Sequence, residues 1–161
     1  MFKPEPISRA GYNMLKAELT RLEKDELPEV VRTVAEARAE GDLKENAAYI
    51  YGRQRQGHMV GRINELKGLL SSADIIDCTK VNCDCADFGT VVTLLNLDTE
   101  EKVTYQLLGT AEADIDTGSV SIQSPIGGAI IGHCVGDKFT ATVPRGDLHF
   151  EVVAISAPEV D

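Results

Sequence analysis

The feature that most constrains this chain is a pair of apolar stripes at heptad spacing. Tyr49, Gly52, Gln56, Met59, Ile63, Leu66 and Leu70 follow one another at alternating steps of three and four, the seam of a helix that needs a partner helix to cover it. Upstream, Tyr12, Leu15, Leu19 and Leu22 keep the same steps, and after a break Leu27, Val30, Val34 and Ala37 keep them again. The break coincides with Pro28, which removes a helix hydrogen bond and crowds the preceding turn, so a kink or a re-start is expected there. A short connection makes two such helices antiparallel neighbours. That connection is "GDLKEN", with Gly41 closing the first helix and Asp42 placed to cap the second.

About 30 helical residues at ~1.5 Å each give an arm of roughly 45 Å. Its tip carries two carboxylates, Asp42 and Glu45, with little core behind them. Asp before a helix and an acid three positions later are also an ordinary helix start, and both suit the positive end of the helix dipole. The alternative is chemical. Mg²⁺ takes one or two carboxylates plus waters and phosphates, so a pair at i, i+3 is too few to hold the ion alone but enough to complete a site that a partner supplies. Two metal ions about 4 Å apart promote phosphodiester hydrolysis by activating water and stabilising the leaving oxygen.

Near residue 71 the texture changes from long helical segments to short β-branched runs cut by Gly, Asp and Asn. Two domains are expected: a hairpin over residues 1–75, with its acidic tip at 41–46, and a sheet domain over 80–161. The join, "SSADIIDCTKVNCDCAD", is rich in residues that compete for the backbone. Val103, Tyr105 and Leu107 alternate, as do Phe139, Ala141 and Val143, while "NLDTEEK" and "PRGD" are turn-rich connections between strands. "SPIGGAII" offers one short helix, with Ser124 as N-cap and Pro125 at its first position. The fold class is therefore α+β.

Composition narrows the function. A chain of 161 residues, 43% apolar and 26% charged, is globular. A net charge of −10 argues against wrapping a nucleic-acid duplex, because that affinity comes mainly from Lys and Arg; any such contact must be local. There is no signal-peptide pattern and no apolar run of about 18 residues, so a cytoplasmic protein with no membrane contact is expected. Cysteines 78, 83, 85 and 134 are then read as reduced thiols. A zinc site from Cys78, Cys83 and Cys85 with Cys134 or His133 is disfavoured, since C-x₄-C-x-C lacks the usual paired spacing. "GGAIIGHCVGDK" lacks the G-K-[ST] ending of a phosphate loop. His58, His133 and His149 have no nucleophile partner, so no self-contained catalytic site is expected.

The run "AEARAEGDLKENAAYIYGRQRQGHMVGRINELKGLL", with "ADFGTVVTLLNLDTEEKVTYQLLG" and "SPIGGAIIGHCVGD", resembles the Gre transcript cleavage factors of bacterial RNA polymerase, of the GreA type, over nearly the whole chain. The resemblance implies an N-terminal antiparallel coiled coil followed by an FKBP-like sheet domain with a short helix. It also implies that the coiled coil enters the secondary channel of a backtracked polymerase as a monomer. Asp42 and Glu45 would there be the catalytic and metal-ligating pair, sharing Mg²⁺ with the polymerase and stimulating cleavage of the nascent RNA near its 3′ end. The chain would not be an enzyme by itself. Arg38, Arg53, Arg55 and Arg62 would guide the RNA through forked phosphate contacts, and Tyr49 or Tyr51 would stack on an unpaired base; the charge pattern alone favours a solvated coiled-coil flank carrying interhelical pairs. Ser124, Pro125, Ile126 and Gly127 form the candidate polymerase-docking surface. Gly128 and His133 stand where basic residues of the family are expected. Two rivals remain: a Gre homologue that inhibits polymerase without promoting cleavage, and a non-catalytic coiled-coil adaptor.

Overall fold

The computed structural model describes residues 4–41 and 46–159. The chain divides into two compact units, Asn13–Ser72 and Met1–Tyr12 with Ala73–Asp161. In chain order its elements are β1 (Glu5–Ser8), α1 (Arg9–Arg21), a π turn (Leu22–Glu26), α2 (Leu27–Ala39), α3 (Ala47–Ser71), β2 (Ala73–Ile76), β3 (Val91–Asn96), β4 (Lys102–Leu108), β5 (Ser119–Ser121), α4 (Pro125–Ile130), β6 (Lys138–Val143) and β7 (Gly146–Ser156).

In the helical unit, α2 packs on α3 along the stripe read from the sequence. Val30, Val34 and Ala37 are buried on one helix and Gly52, Met59, Ile63 and Leu66 on the other, Leu66 completely. At Pro28, where a kink or a re-start is expected, the chain stays helical. Arg21 and Leu27 both keep right-handed helical geometry, and the amide of Leu27 donates to the carbonyl of Leu22 across a π turn. Proline cannot donate to the turn before it and crowds that turn's carbonyls, and a π turn is one of the few ways a helix absorbs such a fault. Because its hydrogen bond runs from i+5 to i, Leu22 and Leu27 stack on one face, and the stripe continues through a step of five that an α-helix would rotate away.

The other unit contains a five-stranded sheet in the order β5-β4-β3-β7-β6. The pairs β3–β4, β3–β7 and β6–β7 are antiparallel, whereas β5 runs parallel to β4. The sheet is therefore mixed rather than antiparallel throughout. Residues 109–118 carry the chain back before β5 begins, which is what a parallel neighbour requires. The two turn-rich connections close hairpins as expected: Asn96 Oδ1 accepts the amides of Asp98 and Thr99, and Gly146 takes a φ of 128° that favours glycine. Val92, Leu94, Leu107, Val120, Ile130, Ala141, Phe150 and Val152 form the core, with Ile130 bringing α4 onto the sheet.

A two-stranded parallel pair, β1 with β2, was not legible in the sequence; it matches Ile7 to Ile75 and Ser8 to Ile76. Ser8 Oγ caps α1 by accepting the Gly11 amide at 3.0 Å, and the Glu112 carboxylate accepts the Ser8 hydroxyl at 2.6 Å and the Ser8 amide at 3.0 Å. Among the described residues no helix is long and apolar enough to cross a membrane.

Helix α3 carries four glycines that the seam treats differently. A Cβ on Gly52 would lie 2.7 Å from Val34 Cγ2, while Gly57, Gly61 and Gly68 face open space. Replacing each of these last three by Ala should stabilise the hairpin by about 0.4–1 kcal/mol. Gly52→Ala should gain nothing or lose stability, because Val34 must move. Urea unfolding of the four single variants checks the contrast.

Candidate functional site

The tip is built from the ends of α2 and α3. Glu40 is the C-cap of α2, its amide donating to Ala37 O, and Gly41 follows with a φ of 153°. Asp42 and Glu45 lie outside the described residues. The cap of α3 is Asn46, whose Oδ1 accepts the Tyr49 amide at 3.1 Å, so the capping role that the sequence offered to Asp42 is filled four residues later. Asn is as good an N-cap as Asp, and "NAAY" was the signal that sequence reasoning passed over. Asn46 does more than cap: its Nδ2 donates to Ala37 O at 2.5 Å. One amide side chain thus ties the last turn of α2 to the first turn of α3, at the base of the tip.

The four arginines singled out in the sequence separate into two groups. Arg62 is engaged within the hairpin: its Nε and Nη2 reach the two oxygens of Glu18 at 2.9 and 3.0 Å, and its Nη1 reaches Glu65 at 3.0 Å. The hydrogen bond from Arg62 holds the Glu18 carboxyl below its ordinary range, and the same carboxylates raise the guanidinium above its own. A forked pair of this kind fixes geometry as well as charge. Arg38, in the last turn of α2, and Arg53 and Arg55 on α3 are exposed, and among the described residues no ion pair engages them. Arg55 lies one heptad nearer the tip than Arg62, on the same edge of the seam. Tyr49 is half-buried in the seam, while Tyr51 is 68% exposed.

In the sheet unit, Ser124 Oγ accepts the Gly127 amide at 3.0 Å and donates to Ser121 O at 2.6 Å. This confirms Ser124 as the cap of α4, with Pro125 at the start of the helix. Ser124, Pro125 and Ile126 line a cavity of about 390 Å³, together with Ile115, Val120 and Val143. Ile115 is 61% exposed at its rim. Gly127 is buried instead, where a Cβ would collide with Ser121 O, so it shapes the turn rather than the surface. His133 stacks on Phe139 at 4.9 Å and lies 3.5 Å from Asp137.

Cys85 and Cys134 are joined as a disulfide, contrary to the expectation of four reduced thiols. An isolated antiparallel bridge brings together two residues that the sequence keeps 49 apart. Among the described residues no cluster of three or more His, Cys, Asp or Glu could hold a metal ion.

Two family models together match most of the chain. Residues 5–75 match the family "Transcription elongation factor, N-terminal", and residues 81–157 match "Transcription elongation factor, GreA/GreB, C-term". The transcription elongation factor GreA of Francisella philomiragia is 44% identical over 151 residues, which cover 93% of this chain and 94% of that one. Its counterpart in Francisella tularensis subsp. novicida has the same identity and coverage. Among solved structures, the GreA factor homolog 1 of Thermus thermophilus aligns at 29% identity over 96% of this chain and 100% of its own, with a TM-score of 0.46.

Asn46 separates capping from clasping. Asn46→Asp keeps an oxygen for the Tyr49 amide but loses the donor to Ala37 O, whereas Asn46→Ala loses both. Loss of the cap alone costs about 0.5–2 kcal/mol. Chemical denaturation should rank stability as parent, then Asp, then Ala, and hydrogen exchange should show the Asp variant loosened at the end of α2 while the first turn of α3 stays protected.

Proposed function

Because the chain belongs to the GreA/GreB family of transcription elongation factors, we propose that it stimulates cleavage of backtracked nascent RNA by bacterial RNA polymerase. The observation that carries this reading is the capping of α3 by Asn46, which leaves Asp42 and Glu45 unneeded as helix caps. Freed of that role, the two carboxylates near the end of a long hairpin are read as donors to a partner. The hairpin enters the polymerase secondary channel, and Asp42 and Glu45 supply hard oxygen donors to Mg²⁺ that the polymerase also ligates, a donor set that fits this ion but cannot hold it alone. When bound, Mg²⁺ lowers the barrier to phosphodiester hydrolysis by activating water and stabilising the leaving oxygen. Asp42 would chiefly hold the ion, and Glu45 would hold it or orient the water.

The rest of the arm positions these two groups. Arg38, Arg53 and Arg55 offer forked donors to the phosphates of the RNA 3′ segment, with Tyr51 as the exposed aromatic for stacking on an unpaired base. Arg62, committed to Glu18 and Glu65, contributes by keeping the two helices in register. Docking falls to the sheet unit, at the apolar cavity lined by Ser124, Pro125 and Ile126. The protein works as a monomer in the cytoplasm, and cleavage belongs to the polymerase active site rather than to this chain alone.

The test is transcript shortening in a purified halted elongation complex carrying labelled RNA. The parent should stimulate Mg²⁺-dependent shortening, and without polymerase it should leave RNA intact. Asp42→Asn with Glu45→Gln keeps the hydrogen-bonding shape of both side chains and removes their charge. The double variant should lose roughly a hundredfold or more in cleavage rate while binding polymerase and unfolding like the parent. A double variant that still stimulates cleavage at the parental rate, or RNA hydrolysis by the protein alone, contradicts the proposal.

A further inference from the structure

We propose that Cys85 and Cys134 form a reversible dithiol–disulfide site through which a small disulfide or peroxide oxidant tightens the segment that follows α4. The two residues face each other as an isolated antiparallel bridge. The Ala86 amide donates to His133 O at 2.8 Å and the Gly132 amide to Ala86 O at 2.9 Å. These backbone bonds keep the two side chains adjacent with the sulfurs either joined or apart, so closing the bond requires no rearrangement of the chain. The Cys134 amide is itself held by Asp137 Oδ2 at 2.8 Å.

Access distinguishes this pair from a buried staple. Both cysteines are only half-buried, and Cys85 is among the residues that line an open cavity of about 390 Å³, with Asn82, Asp84, Asp87, Ile131 and Gly132, a volume large enough for a small reagent. Exposed disulfides are the ones that exchange. Of the other two cysteines, Cys78 is fully buried with Phe88 and Leu108, and the Cys83 thiol donates to Val81 O at 3.5 Å. The inference rests on the proposed function in one respect: a polymerase accessory factor works where thiols are kept reduced, and a disulfide formed there is transient.

The chemistry balances with either oxidant. One thiolate attacks a sulfur of the small disulfide and expels its thiolate, giving a mixed disulfide; the second cysteine thiolate attacks the protein sulfur and expels the other. Two protein thiols lose two electrons and two protons, and the oxidant leaves as two thiols. With a peroxide, the first thiolate takes one oxygen to become a sulfenic acid, and the second displaces it as water. The bond closes a long loop and so restricts the unfolded chain, and it pins residues 131–137 to residues 85 and 86.

The full-length protein, equilibrated in mixtures of reduced and oxidised glutathione, tests this without polymerase, so the outcome is independent of the cleavage reading. Alkylation and peptide mapping should show two of the four cysteines protected, linked as 85–134, with the same midpoint approached from either direction. Cys83→Ser should keep that midpoint, and Cys134→Ser should abolish the protected pair. Oxidation should slow amide exchange in residues 131–137 and raise the unfolding midpoint by about 5 °C or more. A bond that resists reduced glutathione until the chain is denatured, a link through Cys83 or between molecules, or equal exchange in both states would overturn the proposal.

Discussion

Two long helices can serve as one arm only if their apolar stripes face each other from base to tip, and Pro28 threatens that condition in mid-helix. The chain meets it by widening one turn. Leu22 and Leu27 fall on the same face because the hydrogen bond between them spans five residues, and Val30, Val34 and Ala37 continue inward beyond it. Gly52 then lets Val34 approach the facing helix closely. Arg62 fastens Glu18 across the seam, and Asn46 ties the two helix ends together where the seam runs out. The described ends of α2 and α3 are in this way held by the whole length of the hairpin, and placement within fractions of an ångström is what separates a useful catalytic group from a bystander.

Local features were legible in the sequence and distant ones were not. The seam is written in steps of three and four, and every residue assigned to it from Tyr49 to Leu70 is buried or half-buried. Ser124 and Pro125 announced α4, and Asn96 and Gly146 announced their turns, since capping and turn chemistry act within a few residues. The parallel pairing of β1 with β2 joins segments nearly 70 residues apart, and a four-residue strand containing Pro6 carries no alternation to reveal it. Cys85 and Cys134 likewise meet only because the sheet unit folds. At the tip the sequence reading placed the cap at Asp42 and passed over Asn46, an equally good capping residue; the start of α3 at Ala47 assigns the cap to Asn46.

Charge shows the same division of labour. A chain of net charge −10 makes a poor general ligand for nucleic acid, yet Arg38, Arg53 and Arg55 stay without acidic partners among the described residues near the tip, while Arg62, farther down α3, is neutralised by two glutamates. The cations without an acidic partner among the described residues lie where the proposed RNA contact would be, and the paired one lies where the hairpin needs holding.

The central claim is that Asp42 and Glu45 act through a shared metal ion, and the Mg²⁺ dependence of transcript cleavage addresses it most directly. Cleavage in a backtracked complex would be followed as Mg²⁺ is titrated, with saturating parent protein or with Asp42→Asn or Glu45→Gln singly. Loss of one carboxylate ligand should move half-saturation to Mg²⁺ concentrations roughly tenfold higher, with excess ion restoring part of the rate. Variants that lose rate at an unchanged Mg²⁺ midpoint, or that keep both, would show that the tip carboxylates do not act through the metal.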